Sequence, residues 1–258
     1  MKIADLFSVE GKVALITGGS RGIGEMIARA YVANGAKVYI SSRKAEACNA
    51  LATELSKIGT CIALPADISQ QEEIERLAKE LESREQGLNI LVNNAGASWG
   101  ARFGEFPESG WDKVMDLNVK SPFFLTQRLM QMLENAAADD DYARVINIGS
   151  VDGLHVSPLE SYSYAASKAA LHHVTRMMAK FLAAKRIAVN AIAPGYFPSK
   201  MTAGIAEEHG EPTRAATPMR RWGAAEDIGG VALYLGSKAS GFVCGAVIPV
   251  DGGFATTA

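Results

Sequence analysis

Thr17-Gly18-Gly19-Ser20-Arg21-Gly22-Ile23-Gly24 closes the short apolar run Lys12-Val13-Ala14-Leu15-Ile16 and opens a helical pattern over residues 23–34, which Gly35 stops. A short apolar run ended by glycines reads as a buried strand, 12–17, and the glycines let the chain turn sharply into the helix. Such a turn presents backbone N–H groups and the positive end of the helix dipole to an anion, the arrangement that cradles a pyrophosphate. Glycines here would also suit a turn that merely packs tightly, so the reading rests on what the rest of the chain supplies.

Working outward, strands are predicted at 37–41, 61–64, 89–93, 144–148, 188–193 and 247–250. Helices are predicted at 45–58, 70–83, 110–136, 163–184 and 225–235. Strands that alternate with helices imply right-handed βαβ crossovers. The expected fold is therefore α/β, a single-domain Rossmann-like doubly wound parallel sheet with helices on both faces, over residues 1–258. A chain of 258 residues suits one such domain. Residues 196–223, rich in Pro, Gly, Thr and charge, read as a mobile insertion where folds of this kind carry a substrate lid. Asp139-Asp140-Asp141 reads as a solvated loop end.

Composition narrows the function. Hydrophobic residues make up 48% and charged residues 21%, with a net charge of -2, so no nucleic-acid partner is expected. No apolar stretch reaches about 18 residues, and none is expected to span a membrane. Residues 1–10 carry neither a long apolar run nor a small-residue cleavage site, so a cytoplasmic location is expected. Cys48, Cys61 and Cys244 lack disulfide or metal-ligand spacing and read as small buried side chains; no metal site is expected.

The end of the second predicted strand reads Ser41-Ser42-Arg43. Sites that prefer NAD place an acid there, about 20 residues past the glycine turn, to bind the ribose 2′-hydroxyl. Here no carboxylate repels a 2′-phosphate, and Arg43 and Arg21 can form charge-assisted bonds to one. That pattern points to NADP(H). Tyr164 and Lys168 are spaced i,i+4 on one predicted helix and share a face. A free tyrosine has a pKa of about 10, and an adjacent ammonium lowers it by stabilising the phenolate. The pair therefore suits proton transfer to and from an oxygen. No Gly-x-Ser-x-Gly elbow surrounds any serine, so a hydrolase triad is not expected.

The spacing Thr-Gly-x-x-x-Gly-x-Gly is followed in order by Asp67, Asn93-Asn94-Ala95-Gly96, Asn118, Ser150, Tyr164-x-x-x-Lys168, Pro194-Gly195 and Asp251-Gly252-Gly253. This ordered set resembles the short-chain dehydrogenase/reductase family over nearly the whole chain. Asn93 to Gly100 (NNAGASWG), Val145 to Gly153 (VINIGSVDG) and Pro194 to Thr202 (PGYFPSKMT) resemble, more narrowly, bacterial NADPH-dependent 3-oxoacyl reductases, the rhamnolipid-associated type included. The resemblance implies an oxidoreductase that interconverts a ketone and a secondary alcohol. Tyr164 would be its acid/base, with Lys168 lowering the tyrosine pKa and holding the nicotinamide ribose. Ser150 would hydrogen-bond the substrate carbonyl, and Asn118 would position a water in a proton relay.

The same resemblance implies a cofactor site built from Gly18, Ser20, Arg21, Gly22, Ile23, Gly24, Ser42, Arg43, Asp67, Ile68, Asn94, Ala95, Gly96, Tyr164, Lys168, Pro194, Gly195 and Ser199. Within it Asp67 would contact adenine with Ile68 beside it, and Ser199 would bind the nicotinamide carboxamide. Asp67 also suits a helix N-cap or turn residue before the helix at 70–83. His155 is a candidate substrate contact, and Trp99 suits an active-site wall or plain packing, while His172 and His173 read as packing or interface residues. The partner expected is a small carbonyl or alcohol substrate, in a homo-oligomer that the resemblance makes a tetramer, with a dimer as the alternative. Two other functions compete: a sugar, polyol or cyclic alcohol dehydrogenase on the same scaffold, and a catalytically silent NADP(H)-binding sensor or scaffold.

Overall fold

A computed structural model describes residues 2–257 apart from Pro158 and Thr256, without the side chains of Ile205, Ala206, Glu208 and His209. In chain order the elements are α1 (Ile3–Leu6), β1 (Val13–Thr17), α2 (Gly22–Ala33), β2 (Lys37–Ser41), α3 (Ala45–Leu55), β3 (Thr60–Ala63), α4 (Gln71–Glu82) and β4 (Ile90–Asn93). They continue with α5 (Glu108–Met115), α6 (Ser121–Arg128), α7 (Met130–Ala136), β5 (Ala143–Ile148), α8 (Tyr162–Leu182), β6 (Ile187–Pro194), α9 (Ala203–Ala216), α10 (Ala225–Gly236) and β7 (Val247–Val250). The strands form one sheet in the order β3-β2-β1-β4-β5-β6-β7. Every pairing is parallel.

Strand side chains alternate between two faces, and each face is buried under its own helices. Ala14, Ile16, Val38, Ile40, Ile90 and Val92 pack with Ile27 and Tyr31 of α2, Leu51 of α3 and Ile228 of α10. Their neighbours Leu15, Tyr39 and Leu91 pack on the opposite side with Leu77 of α4, Leu125 of α6 and Met178 of α8. The continuous apolar strands seen in the sequence are thus strands covered twice. The strand order reverses at the boundary between β1 and β4, so the cleft of a doubly wound sheet opens there, at the carboxyl ends of the strands.

Three expectations need correction. The helix predicted over 110–136 is broken. A five-residue π turn, Asp116–Lys120, joins α5 to α6, and Leu129 separates α6 from α7. Pro122 has no N–H to give the Asn118 carbonyl, so the regular ladder cannot pass it. The Ser121 hydroxyl instead donates to the Asp116 carbonyl at 2.9 Å across the widened turn. The segment 196–223 contains a fourteen-residue helix, α9, despite Gly204, Gly210 and Pro212. Tertiary contacts supply what its propensity lacks: Trp222 Nε1 donates to Thr213 Oγ1 at 3.0 Å, and Tyr196 stacks on Trp222 with centroids 5.8 Å apart. Cys48 and Cys61 are buried as expected, but Cys244 is exposed.

Candidate active site

The cleft at the carboxyl ends of β1, β2, β4, β5 and β6 encloses about 880 Å³. The glycine turn forms one wall. Gly18 and Gly22 have φ of +63° and +57°, a left-handed backbone that costs glycine nothing and other residues strain. Arg21 is the residue just before α2, and Gly22 and Ile23 present the first turn of that helix to the cleft beside Ser20. A Cβ on Gly24 would stand 2.4 Å from Asn94 Nδ2 and 2.5 Å from the Gly18 carbonyl oxygen. Gly24 therefore lets α2 close on the turn. Among the residues expected at the cofactor, it is the one that does not itself line the cleft.

Asn94 is the brace of this wall. Its Nδ2 donates to the carbonyls of Thr17 and Gly18 at 2.8 and 3.1 Å. The Thr17 hydroxyl accepts from the N–H groups of Asn94 and Ala95 at 3.0 and 3.1 Å. The preceding Asn93 steadies the sheet, donating to Thr126 Oγ1 and Asn147 Oδ1 at 3.1 and 2.9 Å. Asp67 lines the cleft with Ile68 and also accepts from the N–H and hydroxyl of Ser69 at 3.2 and 2.8 Å. The turn reading of that carboxylate is thus seen in its bonds to Ser69. Ser42 and Arg43 line the far end of the cleft with Arg21.

β5 delivers Ser150 to the other end. Its Oγ accepts from the Asp152 N–H at 3.1 Å, which leaves the hydroxyl proton to donate into the cleft. Tyr164 and Lys168 lie one turn apart on α8, with Lys168 Nζ 5.5 Å from the phenol ring centroid. Lys168 Nζ donates to the Ile148 carbonyl at 2.8 Å. The phenol departs from expectation. Burial pushes the Tyr164 pKa up to about 12, against the pull of the nearby Ser150 hydroxyl and with help from the Asp152 charge. Burial also brings Lys168 down to about 8. A low-dielectric site disfavours phenolate and ammonium alike, so desolvation overrides the expected lowering of the tyrosine by the lysine.

Asn118 sits in the π turn, buried one layer behind the cleft. Its Oδ1 accepts from the Ala97 N–H at 2.8 Å, and its Nδ2 donates to the Ala97 carbonyl at 2.9 Å and to Ser167 Oγ at 3.0 Å. Ser167 in turn donates to the Tyr164 carbonyl at 2.7 Å. A Cβ on Gly96 would lie 3.3 Å from Asn118 Oδ1 and 3.7 Å from Lys168 Nζ, so the bare glycine leaves room between amide and amine.

Pro194, Gly195 and Ser199 complete the cleft from β6. Ser199 Oγ lies 3.0 Å from Thr202 Oγ1, and Thr202 lines the cleft too, a contributor that sequence reading missed. Lys44, Lys113, Leu117 and Met201 were also missed. Lys44 was legible as a second cation beside Arg43, whereas Lys113 arrives from α5 with no sequence signal. Trp99 packs on Gly110 of α5, where a Cβ would be 2.8 Å from its ring, and Lys113 Nζ stands 5.3 Å over the indole. His155 Nε2 lies 3.6 Å from Asp152 Oδ1, with its ring edge-on to Phe254 at 5.0 Å. His173 is exposed, and His172 is buried on α8. Among the described residues no helix is long and apolar enough to cross a membrane.

The family model described as enoyl-(acyl carrier protein) reductase matches residues 18–255. The rhamnolipids biosynthesis 3-oxoacyl-[acyl-carrier-protein] reductase of Pseudomonas aeruginosa is 50% identical over 250 residues, 96% of this chain and 98% of that one. A 5-keto-D-gluconate 5-reductase of Escherichia coli is 36% identical over 96% of this chain and 97% of its own. Among solved structures, the Pseudomonas aeruginosa RhlG/NADP active-site complex superposes with a TM-score of 0.94 at 49% identity, covering 97% of this chain and 99% of that one. With a family model matched almost end to end, and half its residues shared with one such reductase, the chain belongs to the short-chain dehydrogenase/reductase family of oxidoreductases.

Proposed function

We propose that the protein is an NADP(H)-dependent oxidoreductase that reduces the ketone of a 3-oxoacyl thioester to the secondary alcohol. The observation that carries the chemistry is the convergence of Ser150, Tyr164 and Lys168 on one end of a cleft whose other end holds the glycine turn, Arg21 and Arg43. The residues present fit a dinucleotide. Gly18 and Gly22 adopt the backbone that a close phosphate approach requires, and α2 points its N-terminus into the same wall. Arg43 stands at the end of β2 where a carboxylate would refuse a 2′-phosphate. The bound cofactor supplies the hydride.

The chain's own residues do the rest. Ser150 donates to the substrate carbonyl oxygen and holds it as negative charge develops. Tyr164, protonated at neutral pH, gives its proton to that oxygen. Lys168 holds the ribose and steadies the phenol from beneath its ring. Asn118 fixes the loop backbone at Ala97, beyond the end of β4, and, through Ser167, the start of α8. The segment 196–223 acts as the lid over a single domain, with Met201 offering an apolar lip. That lip, and the higher identity to the 3-oxoacyl reductase than to the ketogluconate reductase, favour an acyl substrate over a sugar. We assign the protein to the cytoplasm and to a homotetramer; Phe123, Phe124, Met177 and Phe181 expose apolar surface on α6 and α8 that suits a partner copy.

The test follows NADPH oxidation with 3-oxoacyl thioesters, small ketoesters, sugars and cyclic ketones, beside NADH. Turnover of the thioesters with NADPH, reduced by about 1000-fold or more in Tyr164→Phe, is the expected result. Turnover of sugars alone would move the substrate class and keep the mechanism. Tight NADPH binding with no turnover of any of them would make the protein a sensor.

A further inference from the structure

The catalytic scheme gives no task to the buried imidazole of His172. His172 lies on α8 four residues beyond Lys168 and eight beyond Tyr164, so the three share a helix face. It is 2% exposed. Its Nε2 accepts the main-chain N–H of Ser150 at 3.4 Å. Two glycines make room for the ring. A Cβ on Gly149 would meet Nε2 at 2.1 Å, and one on Gly153 would meet Cε1 at 2.8 Å. Gly149 and Ser150 both line the cleft, so the imidazole lies directly behind its floor.

We propose that His172 is a positioning residue for the carbonyl-binding loop, its Nε2 holding the Ser150 amide so that the Ser150 hydroxyl points at the substrate oxygen. Only a neutral imidazole can accept there, and burial beside Lys168 brings the ring pKa down to about 4. The proton then resides on Nδ1, which is buried without a partner at hydrogen-bond geometry. A leucine of similar bulk would avoid that burden but would leave the Ser150 N–H unpaired against a dry core. The loop is held from two sides: the Asp152 N–H donates to Ser150 Oγ at 3.1 Å, and His172 takes the Ser150 N–H. Removing His172 leaves the hydroxyl tethered only through its oxygen.

The inference rests on the role given above to Ser150, and a double-mutant cycle separates the two. His172→Leu is expected to lower kcat for a 3-oxoacyl thioester about 10-fold, and Ser150→Ala about 100-fold. NADPH affinity, read by quenching of protein fluorescence, should change less than about 2-fold in His172→Leu, because the contact lies off the cofactor. In the Ser150→Ala background the same His172→Leu change should cost less than about 2-fold, since its effect passes through a hydroxyl already removed. His172→Gln, whose Oε1 can stand where Nε2 does, should restore kcat to within about 3-fold of wild type, while His172→Asn, too short to reach, should not. The amide resonance of Ser150 in 15N-labelled protein should shift in His172→Leu and His172→Asn but not in His172→Gln, a readout independent of substrate. Equal losses from His172→Leu in both backgrounds, or an unmoved Ser150 amide, would overturn the proposal. If Ser150→Ala itself left kcat unchanged while the amide still shifted, the role of Ser150 would fail and the contact would stand. Should His172→Leu not fold, the Gln and Asn pair carries the test.

Discussion

Tyr164 and Lys168 occupy surroundings dry enough to push both toward their neutral forms, and this separates their pH ranges. The phenol, held near 12, keeps its proton across the range in which enzymes are assayed. The ammonium, held near 8, loses its charge as pH rises through that value. In the proposed mechanism the proton donor is therefore not what fails first. We expect kcat/KM for NADPH, which reports the free enzyme, to fall above about pH 8 with the charge on Lys168. A descending limb only near pH 10 would show that the lysine keeps its ordinary pKa. At the opposite end of the cleft, Arg43 is the residue we propose to decide between nicotinamide cofactors. A charge-assisted bond to a phosphate is worth enough that Arg43→Ala should cut the ratio of NADPH to NADH efficiency by about 10- to 100-fold. An unchanged ratio would pass the discrimination to Arg21 or Lys44.

Elements place these residues through a few close approaches. Helix α2 meets the glycine turn at Gly24, where the obstacles to a side chain are the Asn94 amide and a backbone carbonyl of the turn itself. Alanine is ordinarily the better helix former by about 1 kcal/mol. Here the overlap opposes that gain, and overpacking costs about 1–3 kcal/mol. Gly24→Ala is thus expected to lower the chemical denaturation midpoint and weaken NADPH binding together. A raised midpoint would mean that α2 can tilt away from Asn94 without harm. The π turn acts similarly on α5 and α6. A regular helix over 110–136 would rotate every residue beyond the turn by about 100° per position lost, taking Asn118 off its Ala97 and Ser167 partners. The apolar periodicity of that stretch was legible, whereas the widened turn depends on Pro122 and Ser121 acting together on Asp116 and Asn118. Helix α9 was missed for a related reason. Gly204, Gly210 and Pro212 read as loop formers, and what holds the helix is Trp222 and Tyr196 packing beside it.

For the molecule as a whole, the seven-stranded parallel sheet leaves α6 and α8 outermost on one layer with phenylalanines facing solvent. Phe181 is 63% exposed, and Phe123 and Phe124 lie in the same layer. Light scattering on the eluted protein should give the mass of four copies, and Phe181→Glu should shift it to a smaller species by placing charge in an apolar contact. A wild-type monomer would leave these aromatics without that explanation. The opposite face of the sheet hides a charge: Arg144 at the start of β5 is buried, paired to Asp141 at 3.4 Å and donating to the Ser237 carbonyl at 3.3 Å. In the sequence it is an ordinary arginine before an apolar run, because its partners lie on a loop and on the segment after α10.

The sequence alone determined the succession of strands along the chain, the parallel sheet and the family. Apolar period and glycine position are local properties that survive in one dimension, and the family's motifs stand in order along the chain. It also named eighteen of the residues that line the cleft, as the lining itself shows. Tertiary structure decided what those residues experience. Whether Asn94 binds or braces, and whether Lys168 or burial governs Tyr164, depends on atoms brought together from distant parts of the chain. So does the pairing of His172 with the Ser150 amide. Desolvation and contact distance are properties of the packed molecule, and no spacing along the chain encodes them.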